Sequence, residues 1–387
     1  VSTITSNAAV PAPVFSATVQ IPKLTISGSP TLAYLNGTLY LAYVGAQNII
    51  SCTAFDGTAW SKSVSTIFDA DASPTLTVFN DKLYLMFKSD VDGTAGGILY
   101  STSTDGKTWS AQLQIPKARV SGWPALAALG NTLYVVNQGA DNDGTLWCTT
   151  ITTTDTTTWS SNVQISTEKI SGSPALAVFQ NVLYLVYVPS GSEQPKYMTS
   201  SDGKTWTTAT TIPCLLSESP ALAVFNGTLY LVYQGAASTG TRGQLWYSAF
   251  DGKSWGPSTW VPNTVENATP ALAVFPGIPD TQGTLVCAQS RSDGTVYWQG
   301  LTDTNDITGL VTQFNVGTAT DQNAITFEIT DDFGFPRTGT MYYNASSERS
   351  GSYGIIFSTA LANSLQVRAL FSTNGGTYSG VTLFIPT

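Results

Sequence analysis

One phrase recurs along this chain at a near-constant spacing, and it limits the fold more than any other feature. It reads SGSPTLAYLNGTLYLAY at 27–43, SGSPALAVFQNVLYLVY at 171–187 and SESPALAVFNGTLYLVY at 217–233. Shorter copies stand at 72–87 (ASPTLTVFNDKLYLMF), 121–136 (SGWPALAALGNTLYVV) and 268–275 (ATPALAVF). Pro30, Pro74, Pro124, Pro174, Pro220 and Pro270 mark the register. A unit of roughly 48 residues therefore recurs six times between about residue 23 and residue 300.

Each copy predicts the same strands. Pro-Ala-Leu-Ala-Val-Phe is a short apolar run, suited to an inner strand buried on both faces. Asn-Gly or Asn-Asp follows, the strongest short hairpin signal. Leu-Tyr-Leu-Val-Tyr, rich in β-branched and aromatic residues, makes the second strand. A variable Gly/Ser/Asp-rich loop leads to a third strand, such as the one at 244–250, and a tight Asp-Gly-Lys turn delivers a Trp and a fourth. Four antiparallel strands per unit at this period is the signature of a β-propeller; a β-helix repeats at a much shorter interval. The expected fold is all-β, a six-bladed propeller with seven blades as the alternative, followed by a C-terminal β region.

The ends of the chain suggest how the ring closes. Phe15-Ser-Ala-Thr-Val-Gln-Ile-Pro22 reads like the fourth strand Trp109-Ser-Ala-Gln-Leu-Gln-Ile-Pro116, while the sixth repeat lacks its own turn and fourth strand. An N-terminal strand at 14–22 completing the sixth blade removes two exposed edges. The propeller is thus expected over 1–304. Residues 305–387 contain no Trp or Lys yet keep strand-like runs, so they are read as a β-sandwich-like domain or a diverged seventh blade. A trace of the turn survives at 372–378, and this region is the natural place for self-association.

Net charge is -9 with only 16 Lys+Arg, too few basic groups for tight binding to phosphate backbones, so nucleic acid is not an expected partner. No apolar run is long enough to insert into a membrane as a helix. Cys52, Cys148, Cys214 and Cys287 lie far apart without a CxxC pair, which points to free buried thiols rather than a metal cluster. There is no His, which removes Ser-His-Asp and Cys-His systems and imidazole metal sites. Neither a catalytic set, a metal nor a cofactor is therefore assigned. The stretches Asp90-Val-Asp-Gly93 and Asp141-Asn-Asp-Gly144 lack a later Glu ligand and read as plain hairpin turns. Sequons at Asn36, Asn226, Asn267 and Asn344 are partly explained by turn chemistry, since Asn36 and Asn226 precede Gly in hairpins. The visible start, VSTITSNAAV, fits either a cleaved secretory leader or a cytosolic protein made without one; a secreted or extracellular role is the first expectation.

The turns before the fourth strands are STDGKTW at 103–109, SSDGKTW at 200–206, AFDGKSW at 249–255 and AFDGTAW at 54–60, with a longer variant ending at Trp159. They resemble the Asp-box of sialidases and other propellers, one residue short between Asp and Trp. An Asp carboxylate that accepts turn N–H groups, a Gly at positive φ and a packing Trp make this a structural device. Sialidase chemistry, which the resemblance brings into view, needs an arginine triad, a Tyr with a partnering Glu, and an acid/base Asp. The Arg-Ile-Pro sequence is missing, and Arg119, Arg242 and Arg291 do not share a strand position.

What the repeats do offer is aromatic and neutral hydrogen-bonding side chains. The third strands align as Ser51, Tyr100, Trp147, Tyr197, Trp246 and Tyr297, with Trp298 beside the last. Gln138, Gln234 and Gln289 end three of the second strands, and Trp123 replaces a Ser before its Pro. A flat aromatic face under sugar C–H bonds, with an amide, Arg or Glu for the hydroxyls, is how sugars are held. In architecture and composition this is similar to the propeller lectins of fungi and bacteria. The resemblance implies a multivalent carbohydrate-binding protein with glycan partners and clefts between blades. The candidate binding residues are Trp147, Trp246, Trp298, Gln138, Gln234, Arg242, Glu218 and Trp123. The alternatives are a sialidase-like or other glycoside hydrolase and a protein-binding or toxin-associated scaffold.

Overall fold

The computed structural model describes residues 14–16, 18–91, 94–140, 143–217, 219–261, 264, 269–276, 283–302, 306–318, 321–331, 336–342, 366–374 and 377–384. The chain forms two compact units, Thr18–Gln299 and a second made of Val1–Ala17 with Gly300–Thr387.

The first unit is a six-bladed β-propeller of four-stranded antiparallel blades. Blade I comprises Ser27–Leu35, Thr38–Val44, Ile49–Phe55 and Val64–Asp69. Blade II comprises Thr75–Phe79, Lys82–Val91, Thr94–Ser103 and Leu113–Arg119. Blade III comprises Ala125–Leu129, Thr132–Gln138, Leu146–Thr152 and Val163–Ser166. Blade IV comprises Ile170–Phe179, Val182–Pro189, Lys196–Ser200 and Thr210–Thr211. Blade V comprises Ala221–Phe225, Thr228–Gln234, Leu245–Phe250 and Thr259–Trp260. Blade VI takes Ala271–Phe275, Thr284–Ser290 and Thr295–Thr302 from late in the chain. Its outer strand is Val19–Thr25, with Val19 opposite Trp298 and Gln20 opposite Tyr297.

Local chemistry explains each junction. The first hairpins of blades I and V carry Asn36-Gly37 and Asn226-Gly227 with both residues at positive φ, the backbone that matches strand twist. Pro22 and Pro116 lie on outer strands, where a missing N–H costs no ladder bond. Each is followed by a register shift, with Lys23 and Lys117 at φ 57 and 59.

The seams between blades hold the core. Trp60 meets Trp298 at 5.1 Å, Trp159 meets Tyr100 at 5.3 Å and Trp255 meets Tyr197 at 6.1 Å, each bridging to the preceding blade. Trp109 and Trp206 pack against the clusters of blades I/II and III/IV. These edge-on pairs add to the burial of large apolar areas. All four cysteines are free and buried, and burial pushes the Cys52, Cys148 and Cys214 thiols up to about 12, which leaves them unreactive.

The turn that delivers each Trp is organised by one carboxylate. Asp105 Oδ1 accepts the N–H groups of Lys107 and Thr108 at 2.8 Å, and Asp202 Oδ1 those of Lys204 and Thr205 at 2.8 Å. Asp56 accepts the Thr58 hydroxyl and the N–H groups of Thr58 and Ala59. Asp155 and Asp251 repeat the pattern. These bonds favour the charged form, so Asp56, Asp105 and Asp202 are lowered to about 2, and Asp155 and Asp251 are lowered as well. A depressed carboxylate stabilises the fold fully above its unfolded value, near 4, and loses that contribution as pH falls toward about 2. Acid unfolding followed by circular dichroism is therefore expected to steepen below about pH 4. The Asp105→Asn/Asp202→Asn double variant is expected to start less stable at pH 6 and to lose less on acidification. Parallel pH profiles for the two proteins would refute this account.

In the second unit, Val14–Phe15 pairs with Leu301 and Thr302, and Ser16 N–H donates to the Gly300 carbonyl at 2.8 Å. Five further strands close into a barrel in the spatial order Asp306–Thr318, Asp321–Asp331, Pro336–Tyr342, Thr377–Phe384, Gln366–Asn374. One of the barrel pairs, around Met341 and Tyr378, is parallel. No helix among the described residues is long and apolar enough to cross a membrane.

Candidate functional site

A cleft of about 600 Å³ opens where the outer strand of blade II faces the second hairpin of blade III. One wall is Pro116, Lys117 and Arg119, and the other carries Asp143, Trp147, Trp159 and Asn162. The register shift after Gln114 sets the first wall, and Lys117 is exposed on it. On the second wall the register shifts between Leu146 and Trp147, which stays paired with Asn137 on one side and Gln164 on the other.

Trp147 is half-buried and its indole is fixed from one edge. Its Nε1–H donates to Asp143 Oδ2 at 2.5 Å and lies 3.1 Å from Thr145 Oγ1. Thr145 Oγ1 donates to Asp143 Oδ1 at 2.7 Å and accepts from Gln164 Nε2 at 2.9 Å. A charged acceptor makes a strong bond, so the ring plane is held before any ligand arrives. Among the residues of the cleft, Trp159 Nε1 and Asn162 Oδ1 are buried without a hydrogen-bond partner, one a donor and the other an acceptor; Trp60, Trp109 and Trp255 of the other turns share the orphaned Nε1. Buried polar atoms are normally paired, and a hydroxyl group, which both accepts and donates, is suited to satisfy both kinds. The arrangement is equipped to bind a polyhydroxylated ligand. Asp143 is the one carboxylate among its described lining residues, whereas glycoside hydrolysis normally uses two flanking the scissile bond.

The same Asp-Gly-Thr-x-aromatic sequence occurs twice more, one copy being Asp56-Gly-Thr-Ala-Trp60, the aspartate turn of blade I. Asp143-Gly-Thr-Leu-Trp147 has its counterpart in Asp293-Gly-Thr-Val-Tyr297 of blade VI. There Asp293 Oδ1 accepts the Thr295 N–H and hydroxyl at 2.9 and 2.6 Å. The ring is covered, however, because Arg291 Cζ sits 3.6 Å over the centre of Tyr297.

The second cavity, about 370 Å³, lies on the propeller axis and is lined by the inner strands of all six blades. Trp123 stands in its wall, and its described lining carries no carboxylate, ammonium or guanidinium group. Charged side chains meet instead at Glu168, which accepts from Tyr187 Oη at 2.7 Å and from Lys196 Nζ at 2.5 Å. Burial raises the Glu168 carboxyl, but these two bonds outweigh it and hold it below its ordinary value. Tyr187 is 1 % exposed and lines neither cavity, so this pair packs blade IV.

The candidates read from the sequence are thus dispersed. Trp147 lines the cleft and Trp123 the axial cavity. Trp298 is 4 % exposed and packs edge-on against Phe55 and Trp60. Trp246 is half-buried, packs with the blade IV–V cluster and keeps an unpartnered Nε1. Gln138 Nε2 donates to the Ile170 carbonyl of blade IV at 2.7 Å, and Gln234, 2 % exposed, accepts from Ser217 Oγ at 3.0 Å. Arg242 is exposed on the blade V hairpin, and Glu218 lies outside the described residues. Sequence reasoning did not single out Lys117, Asp143, Trp159 or Asn162 for the site. The Asp-Gly-Thr-x-aromatic recurrence points to Trp147 only where it falls between the second and third strands of a blade, since the turn Asp56–Trp60 carries it too.

The sequence matches no protein-family model and no curated protein. Solved structures share the fold. A lectin of Aleuria aurantia in complex with Fucα1-6GlcNAc superposes with a TM-score of 0.54 at 11 % identity, over 72 % of this chain and 96 % of the lectin. A Hadza microbial sialidase gives 0.51 at 16 % identity, over 70 % of this chain and 64 % of the sialidase. A Trypanosoma rangeli sialidase mutant displaying trans-sialidase activity gives 0.51 at 14 % identity, over 75 % and 60 %. The chain thus spans less than two thirds of either sialidase. At such identities the likeness shows the fold, a β-propeller used by lectins and hydrolases alike, and the fold does not choose between them.

Proposed function

We propose that this chain is a carbohydrate-binding protein whose sugar site is the cleft between blades II and III. The observation that carries the reading is Trp147, a half-buried indole locked by Asp143 in a cleft whose other residues include Trp159 and Asn162, each with an unpartnered polar atom. Such a platform with adjacent donors and acceptors suits a sugar ring, and the cleft lies within the size range of small-ligand sites. The single carboxylate among the described lining residues favours binding over hydrolysis, and the fucose-bound lectin neighbours are consistent with it. On this reading the aspartate turns are Asp-box repeats that serve the fold, and the ligands are extracellular glycans. The blade VI counterpart, covered by Arg291, makes the sites unequal, so avidity from six equivalent sites is not expected.

A glycan array tests this directly. The wild-type chain is expected to bind a restricted set of glycans, and Trp147→Ala to weaken that binding at least about tenfold, equivalent to about 1.4 kcal/mol. Silence across a broad array, or an unchanged Trp147→Ala profile, would overturn the proposal. Turnover of fluorogenic glycosides would turn it into a hydrolase.

A further inference from the structure

We infer that the axial cavity is a second ligand site, separate from the cleft, that takes a single neutral pyranose ring against Trp123. The starting point is a ring of hydroxyls that explains the repeat's Ser-Pro step. Ser29 N–H donates to Ser73 Oγ at 2.9 Å, Trp123 N–H to Ser173 Oγ at 3.0 Å, and Ser173 N–H to Ser219 Oγ at 2.7 Å. Thr269 N–H donates to Ser29 Oγ at 3.0 Å and joins the last blade to the first. The residue before the proline is thus asked for a hydroxyl by its neighbouring blade, and five of the six repeats supply Ser or Thr.

Blade III alone does not. Trp123 offers no hydroxyl to blade II, and those two blades are tied here by Thr75 Oγ1 donating to the Pro124 carbonyl at 2.8 Å. A half-buried indole on the cavity wall, where its own repeat calls for Ser, gains the fold nothing that the ring of hydroxyls shows it needs. It does set an indole among the lining residues of the cavity, alongside Tyr34 of blade I. The surrounding described wall is uncharged, and on the side of blades I and II it presents Ser29 and Ser73. Each of these hydroxyls accepts a backbone N–H and retains a proton to donate. A volume of about 370 Å³ stands near the lower end of small-ligand sites and suits one sugar ring rather than a chain.

The test exploits the repeat. Trp123→Ser restores the residue the other blades use and supplies the missing acceptor, so its thermal midpoint is expected to equal or exceed that of the wild type. Neutral hexoses, deoxyhexoses and N-acetylhexosamines are titrated calorimetrically into the wild type, Trp123→Ser and Trp147→Ala. A member of the panel is expected to bind the wild type and Trp147→Ala at the axial site, and to lose that binding at least tenfold in Trp123→Ser. Wild-type affinity and stoichiometry in Trp123→Ser, or no binding by Trp147→Ala, would overturn the inference. So would a Trp123→Ser midpoint lowered by more than about 5 °C, since the indole would then be a structural part. The cleft reading is judged apart, by whether Trp147→Ala changes the glycan-array profile.

Discussion

Gly203→Ala is expected to destabilise the propeller by roughly 2–5 kcal/mol, through a backbone term of about 1–2 and an overpacking term of about 1–3. Gly203 sits at φ +70, and a Cβ there would run into Tyr134 Cε1 of the preceding blade. Gly106 repeats the arrangement at φ +65, where an added Cβ would lie 2.5 Å from the Tyr40 ring. Tyr40 and Tyr134 are both buried and cannot swing away without opening their seams. For a unit of this size the loss corresponds to a thermal midpoint lowered by roughly 5–15 °C. Gly37→Ala is the control. Its φ is +84, but nothing lies within 4 Å of the added carbon, so only the backbone term applies. Equal effects at Gly37 and Gly203 would show that the aspartate turns do not dock on the neighbouring blade, and the account of the seams would fall with them.

These turns also show how much of the molecule can be read in one dimension. The blades were legible because five of the six solve the same problem with the same residues: an apolar inner strand, a positive-φ hairpin, and a carboxylate that gathers N–H groups. Asp105 and Asp202 act within three residues of themselves, so sequence proximity is spatial proximity. The cleft is different in kind. Arg119 and Asn162 are far apart in sequence and meet because two blades stand side by side. Strand alternation has a period of two, which separates the faces of a blade but does not say where along a face the seam ends and a cleft begins. Trp147 and Trp246 therefore look alike in the third-strand alignment. One is drawn to Asp143 beside open space, and the other packs against the blade IV–V cluster. The difference lies in Asp143, which stands in a stretch that reads as an ordinary turn. The packing of Trp298 was not legible for a similar reason, because its partners Phe55 and Trp60 come from the first blade, at the other end of the run of repeats.

Trp159 joins the fold to the cleft, since it belongs both to a seam and to the cleft wall. It is 8 % exposed, meets Tyr100 edge-on and packs in the cluster shared by blades II and III. Trp159→Ala is expected to cost about 3–5 kcal/mol, as large-to-small changes in a packed core do. That result would say nothing about function. Trp159→Phe separates the roles. The phenyl ring keeps much of the packing but removes a buried N–H that has no partner. Leaving such a donor unpaired costs roughly 1–3 kcal/mol, which offsets the weaker packing of the smaller ring, so stability is expected to stay within about 1 kcal/mol of wild type. Ligand binding in the cleft is expected to drop about tenfold, because the hydrogen bond the free protein leaves unmade is one the ligand completes. A Trp159→Phe protein with unchanged affinity would mean that the N–H is merely tolerated and that the cleft recognises its ligand through the Trp147 wall alone. An unfolded Trp159→Phe would instead place the indole wholly in the seam. The expected pattern, stability kept and affinity reduced, requires the orphaned donor to point at the ligand.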